Sequence, residues 1–252
     1  MDLDELQRNW EEFGRTDPMW AVLTESDKRG GKWDEEEFFA NGRALVDAII
    51  KQLQPFGLPR GRQAALDFGC GVGRLTQAAC QHFDRVIGVD IAASMIAAAN
   101  NYNRFGVRCE YLHNTRPDLT AIADDSIDFV LTLLVLQHMR SELAQGYIAE
   151  FLRVLRPGGV AVFHLPYVHR DGYDAASASQ ASGPIMEMHA TPKETIVHII
   201  EECRGRLVAC HDETGNADWP SDVYANGELL GTHTGGYDGF TYELPKLKTT
   251  DN

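Results

Sequence analysis

Several things are missing from this sequence of 252 residues, and each absence narrows its function. No long uninterrupted apolar run occurs, so no membrane-crossing helix is predicted. The opening stretch, MDLDELQRNWEEF, is acidic and amphipathic, without the basic start and apolar middle of a signal peptide; a cytoplasmic protein is expected. Cysteines are few and scattered: Cys70, Cys80, Cys109, Cys203 and Cys210 form no CxxC pair. That spacing suggests neither a zinc cluster nor a disulfide framework, and no metal site is expected. Basic residues are outnumbered, with 23 Lys and Arg against 37 Asp and Glu and a net charge of −14. The densest basic spot, KRGGK from Lys28 to Lys32, is too short to gather a polyanion. Neither nucleic acid nor an anionic membrane surface is therefore an expected partner.

What remains is an ordinary globular composition, 44% hydrophobic and 24% charged, enough for one large core and a small appendage. Leu3, Leu6, Trp10 and Phe13 recur at helical spacing. A bridge containing Asp17-Pro18 and Gly30-Gly31 leads to DEEEFFANGRALVDAIIKQL, where Asp34 is placed to cap a helix and Glu37 to complete a capping box. Pro55 and Gly57 end it. From residue 62 the pattern changes to short apolar strands alternating with helices. AALDF (64–68), RVIGVD (85–90), VRCEYLH (107–113), SIDFVLTLL (126–134) and VAVFHL (160–165) read as strands, the last entered through a Pro157-Gly158-Gly159 turn. A helix capped by Ser141 precedes that turn, and another starts at Thr191-Pro192. RLVACH (206–211) reads as a sixth strand and SDVYANG as a weaker seventh. Such βαβα alternation predicts an α/β fold with a parallel sheet covered by helices on both faces. The expected domains are an N-terminal helical cap over 1–58, a core over 59–245 and a tail over 246–252. Within the core, 166–190 is too long and too polar for an ordinary connection and is expected to serve function.

The densest chemistry lies in ALDFGCGVGRLT (65–76). Gly69, Gly71 and Gly73 follow a strand and precede a helix, where backbone N–H groups face a ligand. The dinucleotide fingerprint GxGxxG is not met, because Arg74 stands where its third glycine belongs; no GK[ST] follows, so a phosphate loop is excluded. Asp67, two residues before the first glycine, suits a cationic amine better than a pyrophosphate. Asp90, ending the second strand some 20 residues later, is placed to accept from ribose hydroxyls.

DxGxGxG at a strand-to-helix turn resembles the first motif of class I S-adenosylmethionine-dependent methyltransferases. The later blocks, including FLRVLRPGGVAVFHL, fall in that family's order from about residue 62 to 165, and on to 211. The resemblance implies a doubly wound, mostly parallel seven-stranded sheet of the Rossmann-like methyltransferase fold, with an N-terminal helical cap. It implies S-adenosylmethionine as cofactor and S-adenosylhomocysteine as product. Asp67, Gly69, Cys70, Gly71 and Arg74 would hold the methionine part, Asp90 the ribose, and Ile91 and Met95 the adenine. Asn114 takes the place of an acid that bonds the adenine amino group, with Thr115 beside it; Leu133 would line the same pocket, and Trp33 is the preferred lid aromatic. His138 is either a general base or the histidine that pins the turn after the fourth strand, and His164 is a second candidate base. The expected acceptor is a small molecule, bound by a monomer or homodimer. Other chemistry on the same cofactor, a protein or peptide acceptor, an NAD-dependent reductase and a non-catalytic scaffold stay open as alternatives.

Overall fold

The computed structural model describes residues 1–166 and 184–210. Five parallel strands form its sheet: β1 (Ala64–Phe68), β2 (Arg85–Asp90), β3 (Cys109–His113), β4 (Ile127–Thr132) and β5 (Leu155–Phe163). Their spatial order is β3-β2-β1-β4-β5. Chain order reverses beside β1, which opens a crevice at the carboxyl ends of β1 and β4. Asp67 lies level with Gly88 on one side and Leu131 on the other, so it sits at that crevice.

Alternation along β1 decides what covers each face. Leu66 and Phe68 pack with Tyr147, Ile148 and Phe151 of α6 (Ser141–Val154) and with Ile196 and Ile200 of α7 (Lys193–Glu202). Ala65 turns the other way, toward Val46, Ile49 and Ile50 of α3 (Glu35–Leu53) and Leu75 of α4 (Arg74–Ala79). A third cluster joins α1 (Leu3–Thr16), α2 (Pro18–Val22) and α3 to α5 (Ala93–Tyr102) through Phe13, Met19, Trp33, Phe38, Phe39 and Met95. The expected cap therefore packs on the core, seated over α5 and the glycine turn.

As far as residue 202, the helices and strands expected from sequence are present among the described residues, with local corrections. Asp34 caps α3 by accepting from the Glu37 amide at 2.9 Å, but the Glu37 carboxylate turns to Lys28, so only half of that capping box forms. A complete one stands at α1, between Asp2 and Glu5. Asp17-Pro18 is no mere bridge, since Pro18 opens α2. Ser141 does not cap α6: it is the first helical residue, and its hydroxyl pairs with Thr191 at 2.9 Å. Pro192 is the cap residue of α7 rather than its first helical residue, so that helix starts one position later than expected, at Lys193. β5 begins at Leu155 rather than after the glycines. Leu155 pairs with Ile127 and Val160 with Phe129, so Pro157-Gly158-Gly159 forms a bulge inside the strand. Residues 206–210 are not a strand. Val208, Ala209 and Cys210 are buried, and burial alone does not make a strand. His211, the expected seventh strand, the tail and positions 167–183 of the predicted insertion lie outside the described residues.

Candidate active site

The site begins with a turn that has no freedom left. Gly69 and Cys70 both donate to the Val89 carbonyl, at 2.7 and 3.0 Å, which ties the turn to β2. Gly71 then donates to Asp90 Oδ2 at 2.8 Å, while Asp90 Oδ1 accepts from the Ala92 amide at 2.9 Å. One carboxylate thus joins the glycine turn to the start of α5. Asp90 is not the N-cap of that helix; Ala92 is. All three glycines answer to protein neighbours: at Gly73, φ +84°, a Cβ would lie 2.1 Å from the Tyr111 hydroxyl. Gly71 has φ +52°, and a Cβ there would lie 2.3 Å from Val22 Cγ2 of α2; Gly69 has φ +72° and would meet Val135 Cγ2 at 2.4 Å. What comes closest to this backbone is therefore the protein itself: Tyr111 of β3, the cap and the turn after β4.

Asp67 is buried and accepts the Thr76 hydroxyl at 2.6 Å. Burial pushes its pKa up to about 6, against the opposing pull of Thr76 and the Arg74 guanidinium. Burial also raises the Asp90 pKa, opposed by its backbone donors. Two desolvated carboxylates at the ends of adjacent strands make a site that favours a cation beside one and hydroxyl donors beside the other.

Both face a pocket of about 880 Å³, part of it open to solvent. Of the sequence candidates, Asp67, Gly69, Cys70, Gly71, Arg74, Asp90, Ile91, Met95, Asn114, Leu133 and His138 line it together. Asn114 is buried; its Nδ2 donates to the Asp118 carbonyl at 2.9 Å, and its Oδ1 accepts only a long 3.3 Å bond from Arg116. Thr115 is exposed and outside the lining. Trp33 is also outside it: the indole packs on Phe38 and donates to the Leu23 carbonyl at 3.1 Å, inside the cap's own core. The tryptophan that does line the pocket is Trp10. With it come Leu3 and Leu6, all on the apolar stripe visible in the sequence, Phe68 from the glycine motif, and Val135, Met139 and Tyr147.

The histidines separate. His138 is 7% exposed, and its Nδ1 donates to the Glu187 carbonyl at 2.9 Å. Burial pushes its pKa down to about 4, so it is neutral near pH 7 and a weak base. Its position fits the histidine that pins the turn, joining it to residues 185–189. His164 does not line the pocket, and its amide donates to the Thr132 carbonyl at 3.2 Å. Its pKa is also pushed down to about 4 by burial.

Comparison with known families supplies the deciding observation: residues 66–163 match a family described as a methyltransferase domain. The chain carries a class I S-adenosylmethionine-dependent methyltransferase domain. Over 98 residues the chain is 34% identical to the ubiquinone biosynthesis O-methyltransferase of Cereibacter sphaeroides, covering 38% of each chain. Over 107 residues it is 31% identical to the demethylmenaquinone methyltransferase of Tropheryma whipplei, covering 41% of each. The chain thus spans about two fifths of the length of these curated relatives. In fold it is similar to the magnesium protoporphyrin IX methyltransferase of Synechocystis solved with S-adenosylhomocysteine. There the TM-score is 0.63 at 17% identity, over 90% of this chain and 100% of that one. A Clostridium acetobutylicum S-adenosylmethionine-dependent methyltransferase gives 0.57 at 17% identity, over 84% and 97%. The methyltransferase domain's donor set fits its cofactor: a buried carboxylate for an ammonium, a second for vicinal hydroxyls, and Ile91 and Met95 as apolar walls for a flat base. Among the described residues no His, Cys, Asp and Glu group could hold a metal, and no helix is long and apolar enough to cross a membrane.

Proposed function

We propose that this protein transfers the methyl group of S-adenosylmethionine to a nucleophilic oxygen or nitrogen of a small molecule. The observation that carries this reading is the convergence of Asp67 and Asp90, from adjacent strand ends, on one pocket beside the glycine turn. Bound there, the cofactor supplies an already activated methyl group, so the protein's own task is to bind, orient and exclude water. Asp67 would ionise against the ammonium, Asp90 would accept from the ribose hydroxyls with lone pairs left by Gly71 and Ala92, and Asn114 Oδ1 would accept from the adenine amine. Leu3, Leu6 and Trp10 of α1 line the same pocket, which supports the cap as the element that keeps water out. His138, neutral and bonded through Nδ1 to Glu187, would orient the turn after β4 and take no proton itself.

The direct test is calorimetry with S-adenosylhomocysteine on the wild type and on Asp90→Ala. Wild-type binding and its loss in the variant are expected; no binding to the wild type would sink the reading. Methyl transfer itself is read by release of S-adenosylhomocysteine from S-adenosylmethionine in the presence of candidate acceptors.

A further inference from the structure

A second cavity, of about 420 Å³ and partly open to solvent, lies between α3, α4 and the turn after α5. Phe39 and Arg43 of α3, Arg74 and Gln77 of α4, and Arg104 and Phe105 beyond α5 line it. Arg74 is the one residue it shares with the lining of the candidate active site. Three guanidiniums thus meet at one cavity in a chain of net charge −14, and no carboxylate is among its described lining residues.

The sequence brings these groups together for local reasons. Phe39 and Arg43 are four residues apart on α3, and Arg74 and Gln77 three apart on α4, so each pair shares a helix face. Gly42 lets the two helices close, since a Cβ there would lie 2.7 Å from the Arg74 carbonyl oxygen. Gln77 Oε1 accepts from the Arg104 amide at 3.1 Å, which ties the turn after α5 to α4. Gln77 is only 4% exposed, yet its Nε2 has no acceptor among the described residues. Leaving such a donor unmet costs about 1–3 kcal/mol, so what these walls lack is an acceptor. Arg43 and Arg104 both pair with Glu36, and Arg104 with Glu35 as well. Both carboxylates are exposed, and exposed pairs contribute only about 0–1 kcal/mol, so a ligand carboxylate would replace them at little cost.

We propose that this cavity is a second ligand site and that its ligand is a planar aromatic carboxylate. The ring lies against Phe39 and Phe105, and Arg43 and Arg104 hold the carboxylate, whose geometry a guanidinium fork matches. The inference stands apart from the methyl-transfer reading.

Calorimetry on the full chain tests it with 2-naphthoate, the neutral 2-naphthamide and acetate, each with and without saturating S-adenosylhomocysteine. 2-Naphthoate is expected to bind at least about tenfold tighter than either control, a gap of about 1.4 kcal/mol, and to bind in the presence of S-adenosylhomocysteine. Arg43→Gln and Arg104→Gln should each weaken it at least about fivefold while the ligand-free thermal midpoint stays at the wild-type value. Arg104→Lys keeps the charge and loses the fork, and should weaken it about threefold. No binding of 2-naphthoate, equal binding of either control, displacement by S-adenosylhomocysteine, or wild-type affinity in the arginine variants would overturn the proposal. Failure of S-adenosylhomocysteine to bind would count against the methyl-transfer reading alone, and the arginine variants would still decide this one.

Discussion

Asp67 makes cofactor binding a titration. In the free protein its pKa stands at about 6 against an ordinary 3.8, a rise caused first by burial. A carboxyl raised in this way keeps a proton that the unfolded chain loses. Its contribution therefore lowers stability as pH rises from 3.8 to about 6, by about 3 kcal/mol for a shift of about two units. A ligand ammonium beside it favours the ionised form. At pH 5 about one molecule in eleven has Asp67 ionised, and at pH 7 about ten in eleven, so affinity for S-adenosylhomocysteine should rise about tenfold between them. Binding should release nearly one proton at pH 5 and about a tenth of one at pH 7. Calorimetry in two buffers of different ionisation enthalpy measures both quantities. Asp67→Asn should abolish the slope and weaken binding at pH 7 by about 1.5–3 kcal/mol, the worth of a charged hydrogen bond. His138 does not interfere, since its pKa of about 4 lies below the window. A flat affinity from pH 5 to 7 without proton release would refute the reasoning. A slope surviving in Asp67→Asn would transfer it to Asp90, whose pKa burial also raises.

Four other outcomes follow from the structure. His138, held down to about 4, contributes stability that is complete above its ordinary 6.5 and lost as pH falls toward 4. That is up to about 3 kcal/mol, so denaturant melts of His138→Gln should show a shallower acid limb than the wild type. Asp128, buried at the start of β4, accepts from the Gln63 and Ala64 amides at 2.8 and 2.9 Å and from Arg156 at 3.1 Å. Asp128→Ala should cost about 3 kcal/mol in urea unfolding by leaving those donors unsatisfied, and a cost below about 1 kcal/mol would contradict this. Arg204 ends α7 at φ +57°, where glycine carries no Cβ penalty, so Arg204→Gly should raise stability by about 1 kcal/mol. Gly71→Ala should lower Tm through both its positive φ and its contact with Val22; adding Val22→Ala should recover only part of the loss, because the backbone strain stays.

The parts legible in the sequence were those set by short-range pattern. AALDF and RVIGVD are short, mostly apolar runs bounded by turn residues, and both strands lie where those runs fall. The glycine turn and its two carboxylates were legible because spacing along one βαβ unit dictates them. What escaped depends on distant contacts. Trp10 and Trp33 are both aromatic residues of the N-terminal segment, and only the seating of α1 against α5 and the turn after β4 decides which one reaches the pocket. The partner of His138 is 49 residues away, and that of Asp128 is 64 or 65. Leu134, a pocket residue with φ +62°, carries no mark in the sequence at all, since leucine rarely adopts that backbone. β5 was shortened because Pro-Gly-Gly reads as a turn, whereas a bulge uses the same residues inside a ladder.

The contacts of Val22 and Val135 with the glycine turn bear on how such chains drift. Because Gly71 and Gly69 are required by packing against the cap and the β4 turn, a descendant that ceased to bind any cofactor would still be selected to keep them. Loss of activity would register first at pocket-lining positions with fewer structural obligations, such as the half-buried Leu3. In this branch of the fold, the glycines date the architecture, and the more loosely held residues of the pocket lining date the chemistry.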